Sequence, residues 1–176
     1  MSAVTFQLID APEWRAAEIR LVAPRLPFVI GGLPAGYATS APDPTQRARD
    51  KVAAFTDLIE PVFAEAADLL TIEGKSLRLD LDSDNEARFC RHWRETPTRL
   101  VLCVALRRSP TTDIEVFTGT CEGRIADRPA GERNRGWDRI FYPVGHHKTL
   151  AELSLLAAEF GHNQAYAALA AAVGYA

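Results

Sequence analysis

A chain of 176 residues, 47% of them hydrophobic, is long enough for one sizeable core and is read as a single domain over residues 1–176. Its net charge of −3 and pI near 5.8 give no electrostatic basis for nucleic-acid or membrane binding. No apolar run approaches the ~20 residues that a bilayer-spanning helix needs. In chain order, Val4 to Ile9 reads as a first strand. Pro12 to Leu21 reads as a helix, with Pro12 in its first turn and Asp10 as N-cap. Leu26 to Ile30 is a second strand, and Gly31 to Pro44 is a loop rich in Gly, Pro and Ala. Val52, Ala53, Phe55, Leu58 and Ile59 recur at helical spacing and predict a helix from Thr45 to Ile59, broken by Pro61.

A strand starts at Pro61-Val62-Phe63-Ala64-Glu65, and Leu70 to Leu81 reads as strand–turn–strand around Glu73-Gly74-Lys75. Asp84 to Arg94 reads as a helix. Leu100 to Leu106 is a continuous apolar run between two arginines, the pattern of a central strand, and Thr111 to Thr120 is its expected neighbour. Ile140-Phe141-Tyr142 is a short apolar run that stops at Pro143. Helices follow from about Thr149 and from Gln164 to Val173, the last so rich in alanine that its face suits close packing, even across a dimer interface.

Three local patterns invite chemistry and fall short of it. Glu73-Gly74-Lys75-Ser76 contains GKS, but Leu69 stands where a phosphate loop needs its first glycine. Asp80, Asp82, Asp84 and Glu86 lack the glycine and the closing glutamate of a calcium loop. His146 and His147 have neither helical spacing nor a nearby cysteine to complete a metal site. A stronger pattern is Gly136-Trp137-Asp138. An indole beside a carboxylate on a glycine-containing loop suits a flat heterocycle, since the ring stacks and the carboxylate accepts from ring N–H groups. The same pair also suits a buried tryptophan that anchors a loop capped by its aspartate.

The succession Gly123-x-Ile125, Pro129-x-Gly131, Gly136-Trp137-Asp138-x-Ile140-Phe141-x-Pro143-x-Gly145 and Lys148-Thr149-x-Ala151-Glu152-Leu153 resembles the inosine/xanthosine triphosphate pyrophosphatases. The resemblance implies an α/β fold with a long twisted mixed sheet, flanking helices and two lobes around a central cleft. It also implies Mg2+-dependent release of pyrophosphate from deaminated purine nucleotides, usually by a homodimer. Carried over position by position, it assigns Lys51 to the phosphates and Trp137, Asp138 and His162 to the base side.

Several positions depart from the family's pattern. Asp10 and Glu13 stand where an Asn and a Lys face the triphosphate, and the loop 31–44 lacks the metal-binding Glu. Pro61-Val62-Phe63-Ala64-Glu65-Ala66-Ala67-Asp68 keeps a signature frame, but Ala66 replaces the catalytic Asp. Alanine neither binds Mg2+ nor takes a proton. Glu65 and Asp68 are the remaining candidate catalytic acids. Ala157 replaces a phosphate-side Lys, Asn163 a base-side Arg, and Arg135 the Phe that stacks on the purine; a guanidinium also stacks on a base.

The losses cluster on phosphate and metal groups, whereas Trp137, Asp138 and His162 persist on the base side. The favoured reading is a divergent relative that binds a purine-like small molecule (nucleotide, nucleoside or base), with the usual triphosphate hydrolysis lost or altered. The alternatives are an active pyrophosphatase with displaced acids, requiring Mg2+, or an enzyme with a changed substrate. The N-terminus has no basic region followed by a long apolar core, and Cys90, Cys103 and Cys121 are odd in number without CxxC spacing. Both features read as a cytoplasmic protein with free thiols.

Overall fold

The computed structural model describes residues 4–77, 83–132, 137–153 and 159–176, and the side chains of 83 and 84 are not described. The strands are β1 (Phe6–Ile9), β2 (Phe28–Gly31), β3 (Val62–Thr71), β4 (Pro97–Arg107), β5 (Glu115–Ile125) and β6 (Phe141–Pro143). They form one six-stranded sheet in the order β2-β1-β3-β4-β5-β6. The sheet is mixed: β1 runs parallel to β2 and β3, and β5 antiparallel to β6. The helices are α1 (Glu13–Val22), α2 (Pro44–Ala53), α3 (Ser83–Trp93), α4 (Leu150–Leu153) and α5 (Gln164–Ala172). The expected α/β architecture of a mixed sheet with flanking helices is present. The apolar run Leu100–Leu106 is fully buried and lies on an interior strand.

The structure redraws several boundaries. Pro12, not Asp10, occupies the N-cap of α1, and Asp10 adopts a positive φ of 58°. Asp43 caps α2, its Oδ1 accepting from the Gln46 N–H at 2.9 Å, with Pro44 in the first turn. α2 ends at Ala53 instead of Ile59. Arg107 takes the Ala53 and Phe55 carbonyls at 3.4 and 2.8 Å, closing the helix end with a side chain that periodicity cannot reveal. β3 runs unbroken through Ala66 to Thr71 before the turn at Gly74. Leu70 and Ser76 then bridge antiparallel, so the expected turn is present while residues 78–82 lie outside the described residues.

The described chain divides into two compact units. The first comprises residues 1–67, 102–119 and 163–176. Its core gathers Leu8, Ile19, Phe63, Leu102, Leu106, Tyr166 and Leu169. The alanine-rich α5 packs with α1, and Ala165 and Ala170 are buried in this core. Its narrow face therefore serves the protein's own interior.

The second unit comprises residues 68–101 and 120–162. Two of its motif glycines are required by contact. A Cβ on Gly123 would lie 2.2 Å from the Tyr142 carbonyl oxygen across the β5–β6 pair. One on Gly131, which has φ of 89°, would lie 2.7 Å from Ala151. α4 opens with a capping box: Thr149 Oγ1 accepts from the Glu152 N–H, and Glu152 Oε2 accepts from the Thr149 N–H.

Candidate functional site

In the first unit the chemistry-bearing residues lie where β1 and β3 run side by side. Successive side chains of β3 point to opposite faces of the sheet, so Glu65 shares a face with Phe63 and Ala67, while Ala66 and Asp68 share the other. Glu65, one of the two candidate catalytic acids, is 14% exposed. Its Oε1 accepts from Arg15 Nε at 3.0 Å, and its Oε2 accepts from the Tyr166 hydroxyl. Arg15 also donates to Glu18 at 2.6 Å and lies over the Trp14 ring, 4.5 Å from its centroid. Burial beside the Glu65 carboxylate pushes the Tyr166 phenol well above its ordinary range, desolvation being the larger cause. Both oxygens of Glu65 thus have donors inside the unit.

Lys51 projects from α2 toward the same pair of strands. Its Nζ donates to the Glu65 carbonyl oxygen at 3.0 Å and pairs with Asp10 Oδ2 at 2.9 Å. The strand that carries the candidate acid therefore also holds the candidate cation, through its backbone.

In the second unit Asp68, the other candidate acid, is 3% exposed, and its Oδ2 accepts from Ser76 Oγ at 3.0 Å across the bridged turn. Trp137 and Asp138 form a single 3-10 turn, not an open loop. Asp138 is buried, and the turn is held where Ala130 N–H donates to the Arg139 carbonyl at 2.9 Å and Ala126 N–H to that of Ile140 at 2.8 Å. Half-buried Trp137 meets Phe89 of α3 edge-on, with 6.5 Å between centroids, and Arg139 pairs with buried Glu86 at 3.0 Å.

His162 is buried in the turn Gly161–Asn163. That turn passes so close to β5 that a Cβ on Gly161 would lie 2.4 Å from the Thr120 carbonyl oxygen. Arg135 and Ala157 lie outside the described residues, as do Asp80 and Asp82.

Among the described residues, no group of three or more His, Cys, Asp or Glu side chains is placed to hold a metal ion. Mg2+ requires near-octahedral oxygen ligation. On β3, Ala66 and Ala67 carry no donor atom, and the Glu65 oxygens are engaged by Arg15 and Tyr166. Residues 65–67 therefore do not fit that ion, and Asp68 is the one carboxylate of this strand with an oxygen not already engaged by Arg15 or Tyr166. Also among the described residues, no helix is long and apolar enough to cross a membrane.

Nothing in the residue order singles out Arg15, Glu18 and Tyr166. An Arg and a Glu three apart read as a surface helix pair, and a tyrosine among alanines reads as packing. Their meeting at Glu65 depends on chain separations of 50 and 101 residues.

A six-stranded mixed sheet with flanking helices, carrying a half-buried tryptophan beside a buried aspartate and a separate turn with a buried histidine, defines the class as an α/β protein. The Ham1 family matches residues 78–170, just over half of the chain, and the chain belongs to that family. A HAM1 protein from Coxiella burnetii superposes with a TM-score of 0.77 at 17% identity, covering 99% of this chain and 100% of that one. The Staphylococcus aureus Ham1 protein superposes at 0.70 with 21% identity, covering 96% and 97%. At these identities the likeness concerns the fold.

A dITP/XTP pyrophosphatase from Halalkalibacterium halodurans is 44% identical over 62 residues, which is 35% of this chain and 31% of the relative. An inosine triphosphate pyrophosphatase from Yarrowia lipolytica is 49% identical over 45 residues, 26% and 23% of the two chains. The chain thus spans less than a third of the length of these curated relatives.

Proposed function

We propose that this protein binds a flat, purine-like ligand, and that the triphosphate pyrophosphatase activity named in its relatives, with the Mg2+ dependence that the resemblance implies, is lost or altered. The observation that carries the reading is the engagement of Glu65. A carboxylate held by an arginine and a phenol is a structural anchor, not a base waiting for a proton. Lys51 is neutralised by Asp10, and Ala66 offers no ligand atom where the resemblance expects a catalytic aspartate. In the second unit, the indole of Trp137 offers a stacking surface, Asp138 an acceptor for ring N–H groups, and His162 both a donor and an acceptor when neutral. Arg135 belongs to the same proposed base side by resemblance. The reading includes a homodimer in the cytoplasm; the three free, buried cysteines suit a reducing compartment.

The test is a thermal-shift series with inosine, xanthosine, hypoxanthine, xanthine and the corresponding triphosphates, with and without Mg2+, paired with a pyrophosphate-release assay. A ligand that binds only the folded state raises its stability in proportion to RT ln(1 + [L]/Kd). The expected result is stabilisation by nucleosides or bases, weakened by Trp137→Ala or Asp138→Asn, with no Mg2+-dependent pyrophosphate release. A failure of every ring compound to stabilise the protein would overturn the reading.

A second reading is favoured by one observation. Asp68 lies on the same face of β3 as Ala66, two residues along, and is buried with a hydrogen bond from Ser76. If this carboxylate replaces the missing aspartate, inosine or xanthosine triphosphate is hydrolysed with Mg2+. Asp68→Asn then abolishes turnover while Glu65→Gln does not.

A further inference from the structure

Both chain neighbours of Asp138 are held by one helix. Trp137 meets Phe89 edge-on, with 6.5 Å between centroids, and Arg139 pairs with Glu86 at 3.0 Å. Glu86 and Phe89 stand three residues apart on α3 and therefore share a face of it. The same face carries fully buried Cys90 and also Trp93, whose ring lies 6.4 Å from that of Phe89. All of these residues, Asp138 included, belong to the second unit.

Glu86 is 2% exposed, and the Arg139 side chain that it meets is 28% exposed. A buried ion pair of this kind adds little net stability over an apolar pair of similar volume. What it does here is hold residue 139 against α3. The backbone carries the constraint along the turn: Ala130 N–H donates to the Arg139 carbonyl at 2.9 Å, and Ile140 N–H to that of Trp137 at 3.2 Å. Phe89 fixes the indole one residue before Asp138. With 137 and 139 both held, the direction of the buried Asp138 side chain between them is set.

We propose that Glu86 and Phe89 are positioning residues: through Arg139 and Trp137, α3 orients the indole and the Asp138 carboxylate for a flat ring. The identity of that ring as purine-like rests on the function proposed above. The hold of α3 on the indole does not, and it is read without any ligand.

The full chain is first given Trp14→Phe and Trp93→Phe, which leaves Trp137 as the remaining indole of three. In that parent, Glu86→Gln and Phe89→Leu are compared with Phe89→Tyr, which keeps the ring. A double variant, Glu86→Leu with Arg139→Met, replaces the ion pair by apolar side chains and should keep the chain folded. Near-ultraviolet circular dichroism and acrylamide quenching read the order and exposure of the indole. Urea unfolding reads stability, and inosine and xanthine titrated calorimetrically read binding. Glu86→Gln, Phe89→Leu and the double variant should each lose most of the indole dichroism and gain quenching. Each should bind the ring compounds about tenfold more weakly, the scale of one lost aromatic or charged contact. Phe89→Tyr should match the parent. An indole signal unchanged in the double variant and in Phe89→Leu overturns the proposal, even if the urea midpoint falls. If no ring compound binds the parent, the purine reading falls, while the indole signals still decide the role of α3. If the ring compounds bind equally well to variants with a disordered indole, the purine reading stands and the positioning role falls.

Discussion

The Tyr166 hydroxyl donates to the Glu65 carboxylate from 101 residues away, opposite the Arg15 guanidinium, so that a residue with the look of a catalytic acid is fixed from two sides. The carboxylate is largely buried, and the phenol fully so. The arrangement is a polar core element of the first unit.

It follows that Glu65 substitutions act on stability. Tyr166→Phe should lower unfolding free energy by about 1–2 kcal/mol through the lost hydrogen bond. Glu65→Ala should cost about 2–3 kcal/mol, because it takes the acceptor from the buried Tyr166 hydroxyl and one of the carboxylates from Arg15, which keeps Glu18. Urea unfolding measures both. Affinity for a purine-like ligand should be unchanged in Tyr166→Phe; a loss of binding without a loss of stability would contradict the structural role.

The glycines of the second unit give a steric prediction. Gly123→Ala places a Cβ 2.2 Å from a backbone oxygen, which cannot move without breaking the β5–β6 pair. The cost should be about 2–4 kcal/mol, the range of severe core strain. Gly32 meets nothing within 4 Å, so Gly32→Ala should stay within about 0.5 kcal/mol of the parent. Thermal denaturation of the two variants side by side checks the contrast.

Buried thiols set the alkaline limit. Desolvation first, then the nearby Glu86, pushes Cys90 from 9.0 up to about 12; burial and Glu122 push Cys121 up to about 11. Above pH 9 the unfolded chain releases these protons while the folded chain keeps them. Folding is therefore favoured in full below pH 9, and this contribution is lost as pH rises through about 11 and then about 12. Tyr166, raised from 10.0, adds in the same direction. Unfolding midpoints should fall steadily above pH 9, with a shallower slope in Cys90→Ala. At pH 8 a thiol reagent should label Cys90 and Cys121 only at the rate of unfolding.

The candidate site was partly legible. Trp137, Asp138 and His162 stand in an ordered motif, and the structure places all three in the second unit, the aspartate and histidine buried. Glu65 and Asp68 looked equivalent on paper. The strand face separates them, because a period of two sends Glu65 toward α1 and α5 and leaves Asp68 with Ala66 on the other side. Asp10 read as a helix cap, since an acid before a proline-led helix is the usual sign of one. The positive φ and the reach to Lys51 gave it another partner.

What residue order settled by itself is everything governed by near neighbours. The apolar run of β4, the proline and glycine stops, and the Thr149–Glu152 cap all depend on contacts a few residues long. The motif glycines were also visible as positions, though not their reasons. Tertiary structure alone decided which charges are spent on one another. The pairing of Arg15 with Glu65, of Tyr166 with the same carboxylate and of Lys51 with Asp10 spans 50, 101 and 41 residues. Such partners are chosen by strand register and by the high cost of leaving a buried charge unpaired, and neither acts until the sheet has closed around them.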